Sequence, residues 1–239
     1  MMRQYRGPKG EERLWFEPSE IERMMASELH RAGLMPTAAA PVVDLEAFVE
    51  RHLKVTLDQY AVLGASVLGV TEFFEGKSPR ISINKDLTGS ALDEDESPPG
   101  RLGRWRATLA HEAGHVLLHR CLFEFASGNL SLFQPAENEE RTRQLHRCLK
   151  RDATYAAGGD WREIQANQAM AALLMPKAFF ATVARAEAQK LFPDDDSIPA
   201  GGEERVAARL APLLGVSRQA ARIRLTTLGL VVPVGQGRL

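Results

Sequence analysis

Residues 104–119 read RWRATLAHEAGHVLLH, and within them HEAGH (111–115) matches the pattern H-E-x-x-H. Apolar residues recur around this motif at helical spacing, which predicts one long helix over residues 102–120. Because four residues advance by about 400° along a helix, His111 and His115 project from nearly the same face, one turn apart. The stretch therefore predicts a helix that presents two imidazoles together.

Two imidazoles in this arrangement can bind one Zn²⁺ ion at about 2.0–2.1 Å. Glu112 follows the first histidine, where its carboxylate can accept a proton from a water that attacks a carbonyl group. Gly114 has no side chain and permits another element to approach the helix closely. Two surface histidines beside a solvated glutamate are the alternative, but chance gives this motif only at about the 1% level. The pattern favours metal binding.

A catalytic zinc site needs a third protein ligand and an open fourth position. At the metzincin spacing a third histidine would follow six residues after the second, where this chain has Cys121. Glu163, on the next strongly helical stretch (161–175), is the best candidate, although spacing explains it equally well as an exposed helix glutamate. Asn167, one turn later on the same face, is a candidate to hydrogen-bond a ligand histidine.

Three further side chains are candidates for supporting roles. His119 lies eight residues after His111, on nearly the same helix face, and can contact a metal ligand. A helix-end histidine that interacts with the helix dipole explains His119 at least as well, so we leave it outside the metal shell. His146 and Tyr155 can stabilise an oxyanion, although such residues are more often structural.

The rest of the chain predicts an α+β fold, mostly helical, with a small three-stranded sheet. Segments rich in Val, Ile, Leu and Phe predict strands at 53–57, 66–74 and 80–84, the last two as a hairpin. Ser19 and Glu22 match a capping box that opens a helix. Further helices are predicted at 43–52, 137–151, 161–175 and 177–191, with two short ones around Gly215.

These elements predict a domain organisation. Residues 1–17 are polar and are expected to be a flexible lead, and 18–192 are expected to form a zinc metallopeptidase domain. Residues 86–100 are acidic with glycine and proline, which predicts a loop, and 193–202 read as a linker. Residues 203–239 predict a small helical segment that is helix-turn-helix-like.

Composition limits the classes of partner. The chain carries 30 basic and 31 acidic side chains, so its charge gives no reason to expect nucleic acid or an anionic membrane as the main partner. Cys121 and Cys148 are too few for a disulfide framework and fit a reducing cytosol. The N-terminus has no apolar signal region, and the longest apolar stretch (169–176) is too short to span a bilayer. We expect a cytoplasmic protein with no membrane partner.

Two stretches together resemble a known family. RWRATLAHEAGHVLLH (104–119), followed by EIQANQAMAALLMP (163–176), resembles the ImmA/IrrE family of bacterial metallo-endopeptidases. RISIN (80–84) fits the family's strand before the active helix, and VSRQAARIRLTTLGL (216–230) fits its C-terminal ending. The resemblance covers roughly residues 40–230 and joins the zinc helix to a second helix that ends in Leu-Leu-Met-Pro.

The resemblance implies a compact α+β domain with a gluzincin-like ligand set. It implies that His111, His115 and Glu163 are the zinc ligands and that Glu112 is the catalytic carboxylate. Members of the family cleave helix-turn-helix repressors and so derepress mobile-element, phage or stress-response genes, which implies a protein substrate of that kind. This chain departs from the pattern in the long connection between His119 and Glu163, so its substrate contacts do not follow from the family.

The C-terminal arginines leave two interpretations open. Arg218, Arg222 and Arg224 follow Leu-Gly-Val-Ser and match a helix-turn-helix recognition helix that contacts phosphates. A packing or substrate-docking segment is the other interpretation. The neighbouring Glu203 and Glu204 oppose phosphate binding, so we expect DNA binding to be weak or absent.

Two function classes besides a peptidase remain open from the residues alone. One is a DNA-associated regulator whose zinc site is structural or sensory, and the other is a component of a toxin–antitoxin pair. The intact Glu112 argues against a purely structural site, which needs no base and is usually closed by four protein ligands.

Overall fold

The longest element of the chain is the helix that carries H-E-x-x-H, and the other elements pack around it. The computed structural model describes residues 3–6, 12–74, 76–92, 100–130, 143–149, 161–195 and 197–232, with the backbone alone for 3–6, 12–14, 92, 122–130 and 143–149. Within these ranges the α-helices are α1 (Pro18–Ala32), α2 (Leu45–Ala47), α3 (Lys85–Leu92), α4 (Arg101–Leu130), α5 (Trp161–Leu174), α6 (Lys177–Leu191), α7 (Glu203–Leu214) and α8 (Arg218–Thr227). A π-helical segment, Phe48–His52, continues α2, so the helix predicted at 43–52 is present over 45–52.

The main sheet has four described strands in the order β3-β5-β4-β6: β3 (Thr56–Ala61), β4 (Val67–Phe74), β5 (Arg80–Asn84) and β6 (Arg143–Leu149). β3 runs parallel to β5, whereas β4 is antiparallel to both β5 and β6. The three predicted strands and the predicted hairpin are thus confirmed, and so is the α+β class. β4 and β5 are buried along most of their length, because α4 covers one face of the sheet.

Two predictions around the sheet were wrong in detail. β3 begins at Thr56 rather than at residue 53, because Lys54 has a φ of 55° and turns the chain before the strand. Residues 143–149 form β6, although their charged sequence favoured a helix. β4 offers β6 a complete antiparallel partner, and the ladder hydrogen bonds outweigh the weak local preference for a helix.

The N-terminal segment contains two strands that the sequence reasoning did not predict. Within the expected lead (1–17), β1 (Arg3–Arg6) and β2 (Glu12–Trp15) form an antiparallel pair. Gly7, Pro8 and Gly10 between them are typical turn residues.

The capping box of α1 also differs from the prediction. It is made by Glu17 and Glu20, not by Ser19 and Glu22, because Pro18 already occupies the first turn and starts the helix earlier. Ile21, Met25 and Leu29 of α1 recur at helical spacing and are fully buried.

The bounds of α5 and α6 follow the sequence pattern closely, whereas α4 and α3 extend beyond it. α6 has the predicted bounds, and α5 ends before Pro176, which precedes α6. α4 extends ten residues beyond the predicted end at residue 120. The region predicted as a loop (86–100) instead begins inside α3.

No single helix of the described residues is long and apolar enough to cross a membrane; α5 and α6 meet that criterion only as a pair bent by 59°.

The C-terminal helices share one apolar core with the rest of the described chain. Their buried members are Val206, Ala207, Leu210, Leu214, Ala221 and Leu225. Arg106 of α4, buried to 7% exposure, donates from Nε to the Gly215 carbonyl at 3.1 Å and from Nη2 to the Val43 carbonyl at 2.8 Å. Arg106 therefore ties the turn between α7 and α8 to α4. The predicted boundary at residue 203 and its helix-turn-helix character stay predictions.

Candidate metal centre

α4 and α5 bring His111, His115 and Glu163 together. The Nε2 atoms of the two histidines lie 3.1 Å apart. Glu163 places Oε2 3.1 Å from Nε2 of His111 and Oε1 3.4 Å from Nε2 of His115. Both imidazoles are buried, whereas the side chain of Glu163 is 18% exposed, so solvent reaches the cluster on the Glu163 side. The three residues form a group able to hold a metal ion.

The separations among the donor groups of these three residues suit a tetrahedral metal. Ligand atoms at about 2.0–2.1 Å from a tetrahedral Zn²⁺ ion lie about 3.3 Å from one another. The two imidazole nitrogens are 3.1 Å apart, and each lies 3.1 or 3.4 Å from one of the two carboxylate oxygens of Glu163, which is close to that edge length. Two imidazole nitrogens and a carboxylate oxygen are also the donor types found in catalytic zinc sites. The residues present therefore fit zinc in both geometry and chemistry.

The second ring nitrogen of each histidine has a buried partner. Nδ1 of His111 lies 3.0 Å from Oδ1 of Asn167, and Nδ1 of His115 lies 3.0 Å from Nδ1 of His119. The structure thus places Asn167 and His119, the two supporting residues that the sequence suggested, in contact with the two histidines. Such partners hold each ring in orientation and select its tautomer.

One supporting residue was missed by the sequence reasoning. Gln165 is buried, and its Oε1 lies 3.3 Å from Nε2 of His119. The ring of Trp161 stands edge-on to the ring of His119, with centroids 5.5 Å apart. The sequence shows only a glutamine two residues after Glu163. Its contact with His119 becomes evident once α5 is seen to pack against α4.

The electrostatics of the cluster favour a bound cation. Burial by itself raises the pKa of Glu163, but hydrogen bonds and charge from His111 and His115 outweigh it and hold that pKa far below its usual range. Burial lowers the pKa of His115, which favours its neutral form. Burial also acts to lower the pKa of His111, yet the carboxylates of Glu163 and Glu112 outweigh it and raise that pKa. The same carboxylates that favour a proton on His111 would also favour a metal cation bound between the three side chains in its place.

The close approach of α5 to α4 depends on Gly114. A Cβ atom at this position would lie 3.0 Å from Cβ of Ala169 and 3.1 Å from the carbonyl oxygen of Ala166. The helix–helix contact is therefore made of a glycine and two alanines, as the sequence suggested for Gly114. This spacing is what lets a short glutamate side chain from α5 reach both histidines.

Glu112 points to the other neighbour of α4, strand β4. Its Oε2 accepts a hydrogen bond from Oγ1 of Thr71 at 2.6 Å, and the side chain is fully buried. Gly69, two residues before Thr71, lies so close that a Cβ atom there would stand 2.8 Å from Oε1 of Glu112. Sequence reasoning missed both strand residues. An isolated glycine inside a strand pattern indicates close approach and was the available signal for Gly69.

Of the other sequence candidates, Cys121 has a described side chain, and it is not part of the metal-binding group found among the described residues. Its Sγ lies 4.0 Å from the Leu118 carbonyl oxygen. His146 belongs to β6, where its backbone pairs with Thr71, but its side chain lies outside the described residues. Tyr155 lies wholly outside them. The oxyanion roles of His146 and Tyr155 stay predictions.

Fold and site together define the class. An α+β domain whose H-E-x-x-H helix faces a glutamate on the next described helix has the arrangement of a metallopeptidase. The family model of the IrrE N-terminal-like domain, Peptidase_M78, matches residues 101–226, more than half of the chain. The protein therefore belongs to this peptidase family, as the two stretches at 104–119 and 163–176 indicated. Among curated proteins and solved structures, no match to the chain was found.

Proposed function

We propose that the protein is a zinc-dependent endopeptidase in which His111, His115 and Glu163 bind the metal and Glu112 is the general base. The observation that carries this proposal is the convergence of two imidazole nitrogens and the Glu163 carboxylate, at separations close to the edge of a zinc tetrahedron. Catalytic zinc sites combine three protein ligands with a fourth position open to water or substrate, and these residues supply three such ligands.

The residues divide the work between metal binding and proton transfer. Zinc in such a site supplies a Lewis acid, which polarises a carbonyl group and acidifies water. Glu112 accepts the proton of the attacking water and later delivers it to the leaving amine. Thr71 holds Oε2 of Glu112 while this happens. A hydroxyl group can donate to a carboxylate and accept from a carboxylic acid, so the contact persists in both protonation states.

The substrate that we propose is a helix-turn-helix transcriptional repressor. The match to the IrrE N-terminal-like domain supports this choice, because the ImmA/IrrE family that the two motifs resemble implies a substrate of this kind. Cleavage would derepress mobile-element, phage or stress-response genes, and the place of action would be the cytoplasm. The long connection between α4 and α5 is where this chain departs from the family pattern, and we expect it to determine which repressor is accepted.

The C-terminal helix gives less support to DNA binding. Arg224, one of its three arginines, is buried to 4% exposure and donates to Glu22 and to the Met175 carbonyl oxygen. Arg222 lies 3.7 Å from Glu204, which neutralises it in part. A surface that reads DNA needs more unpaired basic side chains than this helix presents. We therefore propose weak or absent DNA binding.

A cleavage assay tests the function. The protein, stripped of metal and reloaded with zinc, is incubated with the repressor encoded beside its gene, and the products are identified by mass spectrometry. We expect one defined cut that disappears with a chelator and returns with zinc. A repressor that stays intact, or a cut that persists without metal, would contradict the proposal.

A DNA titration tests the alternative of a DNA-associated regulator. The intact protein is titrated with duplex DNA of the neighbouring promoter at moderate salt. We expect only weak binding that falls steeply as salt increases. Tight, sequence-selective binding that is lost in Arg218→Ala would instead favour a regulator with a sensory zinc site.

A further inference from the structure

The two histidines of the metal centre are supported in different ways. His111 contacts a side-chain amide directly, through Asn167. His115 contacts a second imidazole, His119, which in turn contacts Gln165. The side chains of His115, His119 and Gln165 are all exposed to 1% or less. Their polar atoms therefore find hydrogen-bond partners in one another rather than in bulk water.

The direction of the hydrogen bonds from His115 to His119 and from His119 to Gln165 follows from the chemistry of imidazole. A neutral ring carries one proton, so a ring that offers Nε2 to a metal must carry its proton on Nδ1. His115 therefore donates from Nδ1, and Nδ1 of His119 must accept at 3.0 Å. His119 then carries its own proton on Nε2 and donates it to Oε1 of Gln165, 3.3 Å away.

The opposite arrangement would block the metal centre. If His119 carried its proton on Nδ1, it would donate to Nδ1 of His115. His115 would then carry its proton on Nε2, the atom that faces His111 and Glu163. Oε1 of Gln165 opposes this state, because a carbonyl oxygen facing the bare Nε2 of His119 places two lone pairs against each other.

We propose that Gln165 is a positioning residue for the metal centre, which acts through His119 to keep the proton of His115 on Nδ1 and so presents Nε2 to zinc. This inference rests on the proposed metal site but does not depend on the proteolytic substrate. It assigns His119 a defined tautomer and gives Gln165 a role in metal affinity although Gln165 lies two contacts from the metal. Trp161, edge-on to His119, helps to hold that ring in place.

Nuclear magnetic resonance of histidine-labelled protein tests the tautomers directly. In zinc-loaded and in metal-free full-length protein, the ¹⁵N shifts of His119 should show the proton on Nε2, and those of His115 should show it on Nδ1. Gln165→Glu keeps an acceptor oxygen and should keep this pattern. A proton on Nδ1 of His119 in the wild-type protein would overturn the inference. This measurement uses the wild-type protein, so it does not depend on a variant that could fail to fold.

Zinc affinity, measured by competition with a chelator, tests the consequence. Gln165→Leu removes the acceptor and should weaken zinc binding about tenfold, in the range seen for partners of metal ligands. Gln165→Glu should bind zinc at least as tightly as the wild type. Gln168, partly buried on the same helix, provides a matched control, and Gln168→Leu should leave the affinity unchanged. Equal affinities of the two leucine variants would overturn the inference.

A double substitution separates this role from a general effect on packing. If Gln165 acts through His115, then Gln165→Leu should not weaken zinc binding further in a His115→Ala background. An equal tenfold loss in both backgrounds would contradict the inference. Failure of the metal site itself gives a different result, because His111→Ala and His115→Ala would then leave zinc binding unchanged.

Discussion

The two sides of helix α4 show two different ways of holding a reactive group. On the α5 side, the three metal-ligand candidates are surrounded by buried amide and imidazole partners, and the helices touch through Gly114 and two alanines. On the β4 side, one carboxylate, Glu112, meets one hydroxyl group, Thr71, beside Gly69.

The difference follows from the roles that we propose for the two groups, metal ligands on the α5 side and a general base on the β4 side. A metal ligand must keep its lone pair in one direction, so each imidazole needs a partner that selects its tautomer. A general base must change its protonation state in each cycle, so its partner must suit both forms. A threonine hydroxyl meets that need, because it can donate or accept.

The largest expected effect comes from removing a ligand on the α5 side. Glu163→Ala should lower bound zinc sharply and abolish cleavage, because the site loses one of its three protein donors. His111→Ala should do the same. Elemental analysis of protein purified without a metal-chelating tag, with an activity assay, measures both. Full zinc retention in Glu163→Ala would exclude Glu163 as a ligand.

Substitution of Glu112, on the β4 side, should lower cleavage activity without lowering zinc content. Glu112→Gln nearly preserves shape but removes the proton acceptor, so zinc should remain stoichiometric while cleavage falls by about 10²–10⁴-fold. The unfolding temperature serves as the control for folding. Unchanged cleavage by this variant would contradict the role of Glu112.

The two glycines sharpen the comparison. Gly114→Val should force α5 away from α4, because its side chain meets Ala166 and Ala169, and should cost about 1–3 kcal/mol of stability together with zinc affinity. Gly69→Ala should instead displace the carboxylate of Glu112 and lower activity, with zinc affinity unchanged. Denaturant unfolding, chelator competition and kinetics distinguish the two. A loss of zinc affinity in Gly69→Ala would show that the two sides are not separate.

The smallest effect is expected from Thr71. Thr71→Val keeps the shape and removes the hydrogen bond to Glu112, which should lower kcat about tenfold while KM and zinc content stay the same. Thr71→Ser keeps the hydroxyl group and should restore most of kcat. If the serine variant is as slow as the valine variant, Thr71 serves packing rather than orientation of Glu112.

The success of the sequence predictions depended on how local each feature is. α5 and α6 were predicted nearly to the residue, because a helix is set by apolar spacing within the segment and by Pro176. β6 was predicted as a helix, because its partner β4 lies about seventy residues earlier in the chain.

The arginines of α8 show the same limit. Arg218, Arg222 and Arg224 look alike in the sequence, yet the structure buries Arg224 against Glu22 and leaves Arg222 beside Glu204. Exposure of a side chain on a short helix depends on the face that the rest of the protein covers. Counting basic residues alone would therefore overstate the basic surface of this helix.

The sequence by itself determined the H-E-x-x-H helix and the pairing of His111 with His115, because the period of a helix brings residues four apart together without help from the rest of the chain. The spacing left Glu163 open and the resemblance implied it, but only the tertiary structure brings it to both histidines. The contacts of Gln165 with His119 and of Thr71 with Glu112 also appear only there. These contacts join residues 41 to 52 positions apart in the chain. Contacts across such distances depend on how α4 packs between β4 and α5, which no local pattern encodes.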